Sequence, residues 1–224
     1  MIVRAFILLL AAVGPLAFPA AQLGYASLHD LALHAVLPSA VALAATWLFA
    51  RHSRPDIAGI ILRGSVAGAV ATLALEVVRY GGFRLGFMPG NLPQLMGVLL
   101  LDLFALGPST WSDIAGFVYH FWNGAAFGVM FLVIVPRPST ARATAYGVAV
   151  GLGFLVSPVV QSLGVGLFGR EFGWHFAATV LSAHVAFGGT LGILLSRSRS
   201  VSVSSVLVPQ VQAPTCRCCS HGHP

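Results

Sequence analysis

The sequence predicts an all-α fold: a polytopic transmembrane helix bundle of six spans plus one short re-entrant or interfacial helix. Three observations predict it. The 224-residue chain is 57% hydrophobic and only 8% charged, with a mean hydropathy of +0.88, whereas soluble domains carry about 25% charged residues. Six apolar runs approach the roughly 20 residues that cross about 30 Å of hydrocarbon. Small residues recur four apart inside four of those runs, a spacing that lets helix backbones approach closely in lipid.

The first run extends from Ala5 to about Ala21 behind Arg4, and Pro15 and Pro19 shorten it. It reads as a first transmembrane helix or as a secretory signal peptide, with Gly24-Tyr25-Ala26 supplying the small residues a signal peptidase reads. Residues 1–26 form this unit, and either outcome leaves Ser27 outside. The bundle proper, 27–196, holds Leu31–Ala50, Ile57–Arg79, Ile114–Val135, Ala143–Phe168 and Gly173–Leu195. Ser157-Pro158 and Gln161 predict a kink in the fourth of these, because proline frees a carbonyl that needs another donor. The run Leu92–Leu106 has only about fifteen residues, contains Asp102 and is fenced by Pro89, Pro93 and Pro108. That length fits a segment that enters the membrane and returns.

Arginine placement supports that reading. All twelve basic residues are arginine, set mostly at the ends of apolar runs, so the +6 charge does not point to nucleic acid as a partner. If 92–106 does not cross, nine arginines (Arg4, Arg51, Arg54, Arg63, Arg137, Arg142, Arg197, Arg199, Arg217) share one side and three (Arg79, Arg84, Arg170) the other. If it crosses, Arg137, Arg142 and the three tail arginines all move outside and the bias reverses. The positive-inside rule selects the first arrangement, with both termini cytoplasmic.

Two rows carry the candidate polar site: His120-x3-Gly124-x3-Gly128 and His184-x3-Gly188-x3-Gly192. Residues four apart share one ridge of a helix, so each row sets one imidazole on a glycine surface. The two helices are separated by one crossing and run parallel. At about 1.5 Å per residue the imidazoles lie roughly 14 and 17 Å below the outer ends. Ionisable groups at that depth are costly and are candidates for ligand or proton handling. The competing reading is structural: a neutral histidine hydrogen-bonds Asn123 or a neighbouring helix. Glu76 ends a third row, Gly64-x3-Gly68-x3-Thr72-x3-Glu76. It faces inward with the histidines or pairs with Arg79 one turn on, and counting places it shallower than His120. Asp102 on the proline-fenced segment is a candidate for lining a water-filled path. His29, Asp30, His34 and His175 are secondary candidates near the outer side; Asp30 with His29 or His34 would make an acid–base pair. Asp113 and Glu171 read as interfacial acids.

Gly64/Gly68, Gly124/Gly128, Gly147/Gly151 and Gly188/Gly192 are packing rows. Their order suggests an internal parallel repeat, 57–135 and 143–195. The tail, 197–224, has a composition that predicts disorder. It ends in Cys216, Cys218, Cys219, His221 and His223, soft donors suited to Cu(I) or Zn(II) but without the spacing of a folded zinc module.

Tyr119-His120-Phe121-Trp122-Asn123-Gly124, an arginine-flanked span, and Ser182-Ala183-His184 followed by Gly188 resemble small inner-membrane proteins of the YagU-like family over about 57–195. The resemblance implies a bacterial inner-membrane protein without an assigned reaction, and it supplies no catalytic residue. Three function classes follow: a structural or accessory membrane protein, a transporter or permeation path, and a redox or metal protein using His120 and His184 as haem b or transition-metal ligands. Lipid is the expected partner, with a second copy or another membrane protein beside it. Soluble enzyme chemistry is disfavoured, because the chain has no phosphate loop, nucleophile elbow or His-Glu-x-x-His.

Overall fold

A computed structural model describes residues 2–200; the tract holding Cys216, Cys218, Cys219, His221 and His223 lies outside the described residues. All regular secondary structure among the described residues is helical. Helix α1 is Ile2–Gln22, helical through Pro15 and Pro19. Ser27 caps α2, Leu28–Leu31, which continues through a π-helical turn, Ala32–Val36, into α3, Leu37–Ser53. Pro38 accounts for the π turn: it has no N–H and its ring collides with the carbonyl four residues back, so the preceding turn widens. Arg54 alone joins α3 to α4, Pro55–Arg84. Its backbone, φ −143° and ψ 68°, is non-helical, as a following proline favours.

Next come α5, Leu92–Leu100, and α6, Thr110–Ile134, the latter opened by a Ser109–Ser112 capping box. The chain then forms α7, Thr140–Leu155, and α8, Pro158–Ser162. A 3-10 turn, Leu167–Gly169, precedes α9, Trp174–Ser200. Five helical stretches are long and apolar enough to cross a membrane: Ile2–Gln22, Leu28–Ser53, Pro55–Arg84, Thr110–Ile134 and Trp174–Arg197. The run 143–168 differs from the expected single span. Helix stops at Leu155 because Pro158 cannot donate to a preceding carbonyl, and α7 with 16 residues reaches only about 24 Å.

Glycine contacts fix how the helices meet. Gly64 of α4 lies against Val129 of α6, and Gly68 lies against Gly124, so α4 and α6 are antiparallel. A Cβ on Gly64 would stand 2.7 Å from the Val129 Cα, so the two backbones themselves are in contact. The α7–α9 pair repeats the device: Gly147 faces His184 and Gly188, and Gly192 faces Thr140. Helix α9 also packs antiparallel on α4, through Ala67, Ala71 and Leu75 against Ala183, Phe187 and Leu191. Tyr119 of α6 donates to the Gly14 carbonyl of α1 at 2.7 Å.

These pairings put residues 4, 51–54, 137–142 and 197 at one end, together with Arg4, Arg51, Arg54, Arg137, Arg142 and Arg197. The opposite end holds Arg84 and Arg170. Both ends of segment 85–109 lie there too. Helix α5 rests on the first turns of α6 through Gly97 and Gly116, its Gln94 donates to Asp113 at 3.0 Å, and its Leu100 carbonyl accepts from His29 at 2.7 Å.

Candidate functional site

The α4–α6 glycine register determines which side chains meet one turn further along. Gly68 opposes Gly124, Thr72 packs over Gly124, and the next turn of α4 carries Glu76 to His120. The His120 Nε2 atom is 2.9 Å from Glu76 Oε1. The two atoms are in close contact without an aligned N–H between them. Arg79, one turn on, grips the same carboxylate with both arms of its fork, Nε to Oε1 and Nη2 to Oε2, each at 2.7 Å. Arg79 is 4% exposed. Glu76 therefore has both partners that the sequence offered as alternatives.

The sequence places Glu76 somewhat shallower than His120, and the two are close enough in depth to touch. Helix α4 continues to Arg84, so Glu76 sits about 12 Å below the helix end, and His120 about 15 Å below the start of α6. Arg79, expected on the outer side, is buried by the same extension.

His184 is held differently. Its Nδ1 donates to the Val180 carbonyl of its own helix at 2.8 Å, which leaves Nε2 as the free ring nitrogen. The ring sits over Gly151 and stacks on Phe154 with centroids 6.4 Å apart. Gly151 thus serves as the shelf on which the imidazole lies: a Cβ there would stand 2.9 Å from the His184 Cγ.

His120 and His184 line one cavity of about 540 Å³, together with Arg79, Asn123 and Ser157. The rest of the wall is largely aliphatic and aromatic, with Phe127, Phe154 and Phe187 among its members. Met88, Leu92 and Met96 close it toward the end where α5 lies. The side between α1 and α7 is open, since α1 packs on α8 but makes no comparable interface with α7. Along this gap Leu16 is 62% exposed, and a Cβ on Gly153 would meet nothing within 4 Å. Both residues line the cavity, so it opens sideways at mid-height of the helices.

Several buried polar atoms at the site have no hydrogen-bond partner among the described residues: Arg79 Nη1, His120 Nε2, Asn123 Oδ1, Trp122 Nε1 and Ser157 Oγ. Asn123 Oδ1 and Trp122 Nε1 both lie against Gly14, whose missing side chain makes room for them. Buried groups of this kind are normally satisfied, and Arg79 and Ser157 belong to the cavity wall. Neither was legible as a ligand-facing group. Arg79 reads locally as Glu76's counter-ion, and Ser157 as part of a proline kink.

The other candidates are placed elsewhere. Asp102 is a correction: it is exposed, off the cavity, and adopts a left-handed conformation with φ of 54°. It terminates α5 where glycine is usual, with the Leu103 N–H bonded back to the Val98 carbonyl. Asp30 accepts from the Ser27 hydroxyl at 2.7 Å, and His34 donates to the Asp30 backbone carbonyl at 3.0 Å. His29 ties α2 to α5, so neither His29 nor His34 pairs with the Asp30 carboxylate. His175 is sandwiched between Phe87 and Trp174, at centroid distances of 4.6 and 3.9 Å. Among the described residues no group of three or more His, Cys, Asp or Glu side chains is arranged to hold a metal ion. Comparison of the chain with protein-family models, with curated proteins and with solved structures returns no match.

Proposed function

We propose that this chain is a multi-pass inner-membrane helical bundle that binds a bilayer-dissolved small molecule in the cavity between α1, α4, α6, α7 and α9. In this reading six segments cross, with α7 and α8 together forming the broken sixth span. Segment 85–109 enters and returns on the outer side, and both termini are cytoplasmic. The gathering of arginines at the opposite end supports that orientation. The observation that carries the binding reading is a cavity of about 540 Å³, apolar in most of its wall, opening between α1 and α7. A volume of this order suits a small ligand. An opening at mid-height of the spans admits solutes from lipid rather than from water. In this reading the chain is a membrane-embedded binding or carrier protein, closer to the permeation class than to the redox class, because Glu76 Oε1 stands 2.9 Å from His120 Nε2, where a haem or metal ion would have to bind.

A structural role is supported for one histidine. His120 links α6 to α4, whereas the hydrogen bond of His184 stays within its own helix and its ring only packs on α7. Gly153→Phe tests the binding reading, since it adds bulk at the opening where a Cβ meets nothing within 4 Å. An alkane carrying a diazirine, photolysed in liposomes, is expected to label Met130 or Phe154 in the native chain, with at least tenfold less labelling in Gly153→Phe. Equal labelling of the two folded proteins, or no labelling of the cavity residues in either, overturns the reading.

A further inference from the structure

The cavity's polar end has a definite electrostatic character. Arg79 and Glu76 neutralise each other through two hydrogen bonds. The fork still leaves Arg79 Nη1 buried without an acceptor, on a side chain only 5% exposed that lines the cavity. A buried N–H without an acceptor is unfavourable, and the deficit disappears when a ligand supplies an oxygen.

The kind of oxygen follows from the neighbours. An anionic head at Nη1 would sit beside the Glu76 carboxylate in a medium of low dielectric constant, where like charges repel strongly. A cationic head would find Glu76 Oε1 already shared by Arg79 and His120. It would also stand beside the Arg79 guanidinium. An uncharged acceptor meets neither objection.

Resting on the binding reading above, we infer that the cavity takes an uncharged amphiphile whose carbonyl oxygen docks on Arg79 Nη1, its hydrocarbon body lying along Phe127, Phe154 and Phe187. Chain-matched ketones and alkyl quinones are the chemical type; fatty carboxylates and alkylammonium ions are not.

Thermal unfolding of the full chain in nanodiscs tests this with three probes at equal bilayer mole fraction: 2-tridecanone, dodecanoate and dodecylammonium. The ketone is expected to raise Tm by about 2–4 °C, as a ligand that binds only the folded state does, and the two ions by less than half as much. Arg79→Lys keeps a cation for Glu76 but removes Nη1, and is expected to abolish the ketone's advantage. No ketone shift, an equal or larger shift with either ion, or a ketone preference that survives in folded Arg79→Lys overturns the inference. If Arg79→Lys does not fold, the native chain's ranking of the three probes decides. Failure of the diazirine labelling overturns the binding reading itself. Successful labelling without the ketone preference overturns only the identity of the head group.

Discussion

At the scale of single residues, the buried charge on Arg79 governs the rest. Both its counter-ion and the contact to His120 converge on one carboxylate. Removing that carboxylate leaves a guanidinium uncompensated in an apolar surround, so Glu76→Gln is expected to cost about 3–5 kcal/mol. Replacing the pair together, by Glu76→Leu with Arg79→Leu, is expected to restore most of that loss, because no charge then remains to be solvated. Thermal unfolding of the two variants in detergent checks this. A single variant as stable as the native chain would mean that water reaches Arg79 through the opening. The short spacing Glu76-x-x-Arg79 made the ion pair legible in the sequence. The sequence offered the histidines only as an alternative to Arg79; that His120 and Arg79 meet Glu76 together was not legible, because the length of α4 beyond Arg79 sets the depth of Glu76. Nothing local in Gly-Gly-Phe-Arg at 81–84 marks helix rather than loop.

At the scale of elements, glycine rows set the helix pairings, and they were the most legible part of the sequence. Spacing of four on an apolar run has few other uses in lipid, and Gly64, Gly68, Gly124 and Gly128 do bring α4 and α6 into backbone contact. Rows alone did not say which helix would face which. That depends on the antiparallel sequence of turns and on contacts such as Gly82 with Thr179, which join α4 to α9. Gly68→Val is expected to destabilise by about 1–3 kcal/mol, since the side chain would run into the α6 backbone at Gly124. Gly59→Ala, where a Cβ meets nothing within 4 Å, is expected to be neutral or slightly stabilising. Chemical or thermal unfolding of the two side by side separates packing glycines from those on open surface. The break at Val156–Ser157 was anticipated as a kink from Pro158, yet its consequence was not. A helix that stops short leaves Gly153 and Phe154 beside a space that a continuous span would have sealed.

At the scale of the whole molecule, the arrangement is a set of long helices held by glycine contacts on three sides of a cavity and held apart on the fourth. Helix α1 reaches α6 through Tyr119 and Gly14 near one end of the opening, and α8 through Ala17 and Phe18 near the other. Between those points lie Leu16 and Gly153. Hydropathy alone made the long apolar helices legible. It could not reveal the cavity, because a wall residue and a lipid-facing residue have the same composition in a membrane. The measurement that tests the account most directly is the accessibility of a spin label at position 153. It is introduced as Gly153→Cys in a chain whose Cys216, Cys218 and Cys219 are replaced by serine, and reconstituted in liposomes. The account predicts strong relaxation by dissolved oxygen, weak relaxation by a water-soluble nickel chelate, and loss of the oxygen effect when 2-tridecanone fills the cavity. A label shielded from both agents, or one that responds chiefly to nickel, would contradict a cavity open to the bilayer.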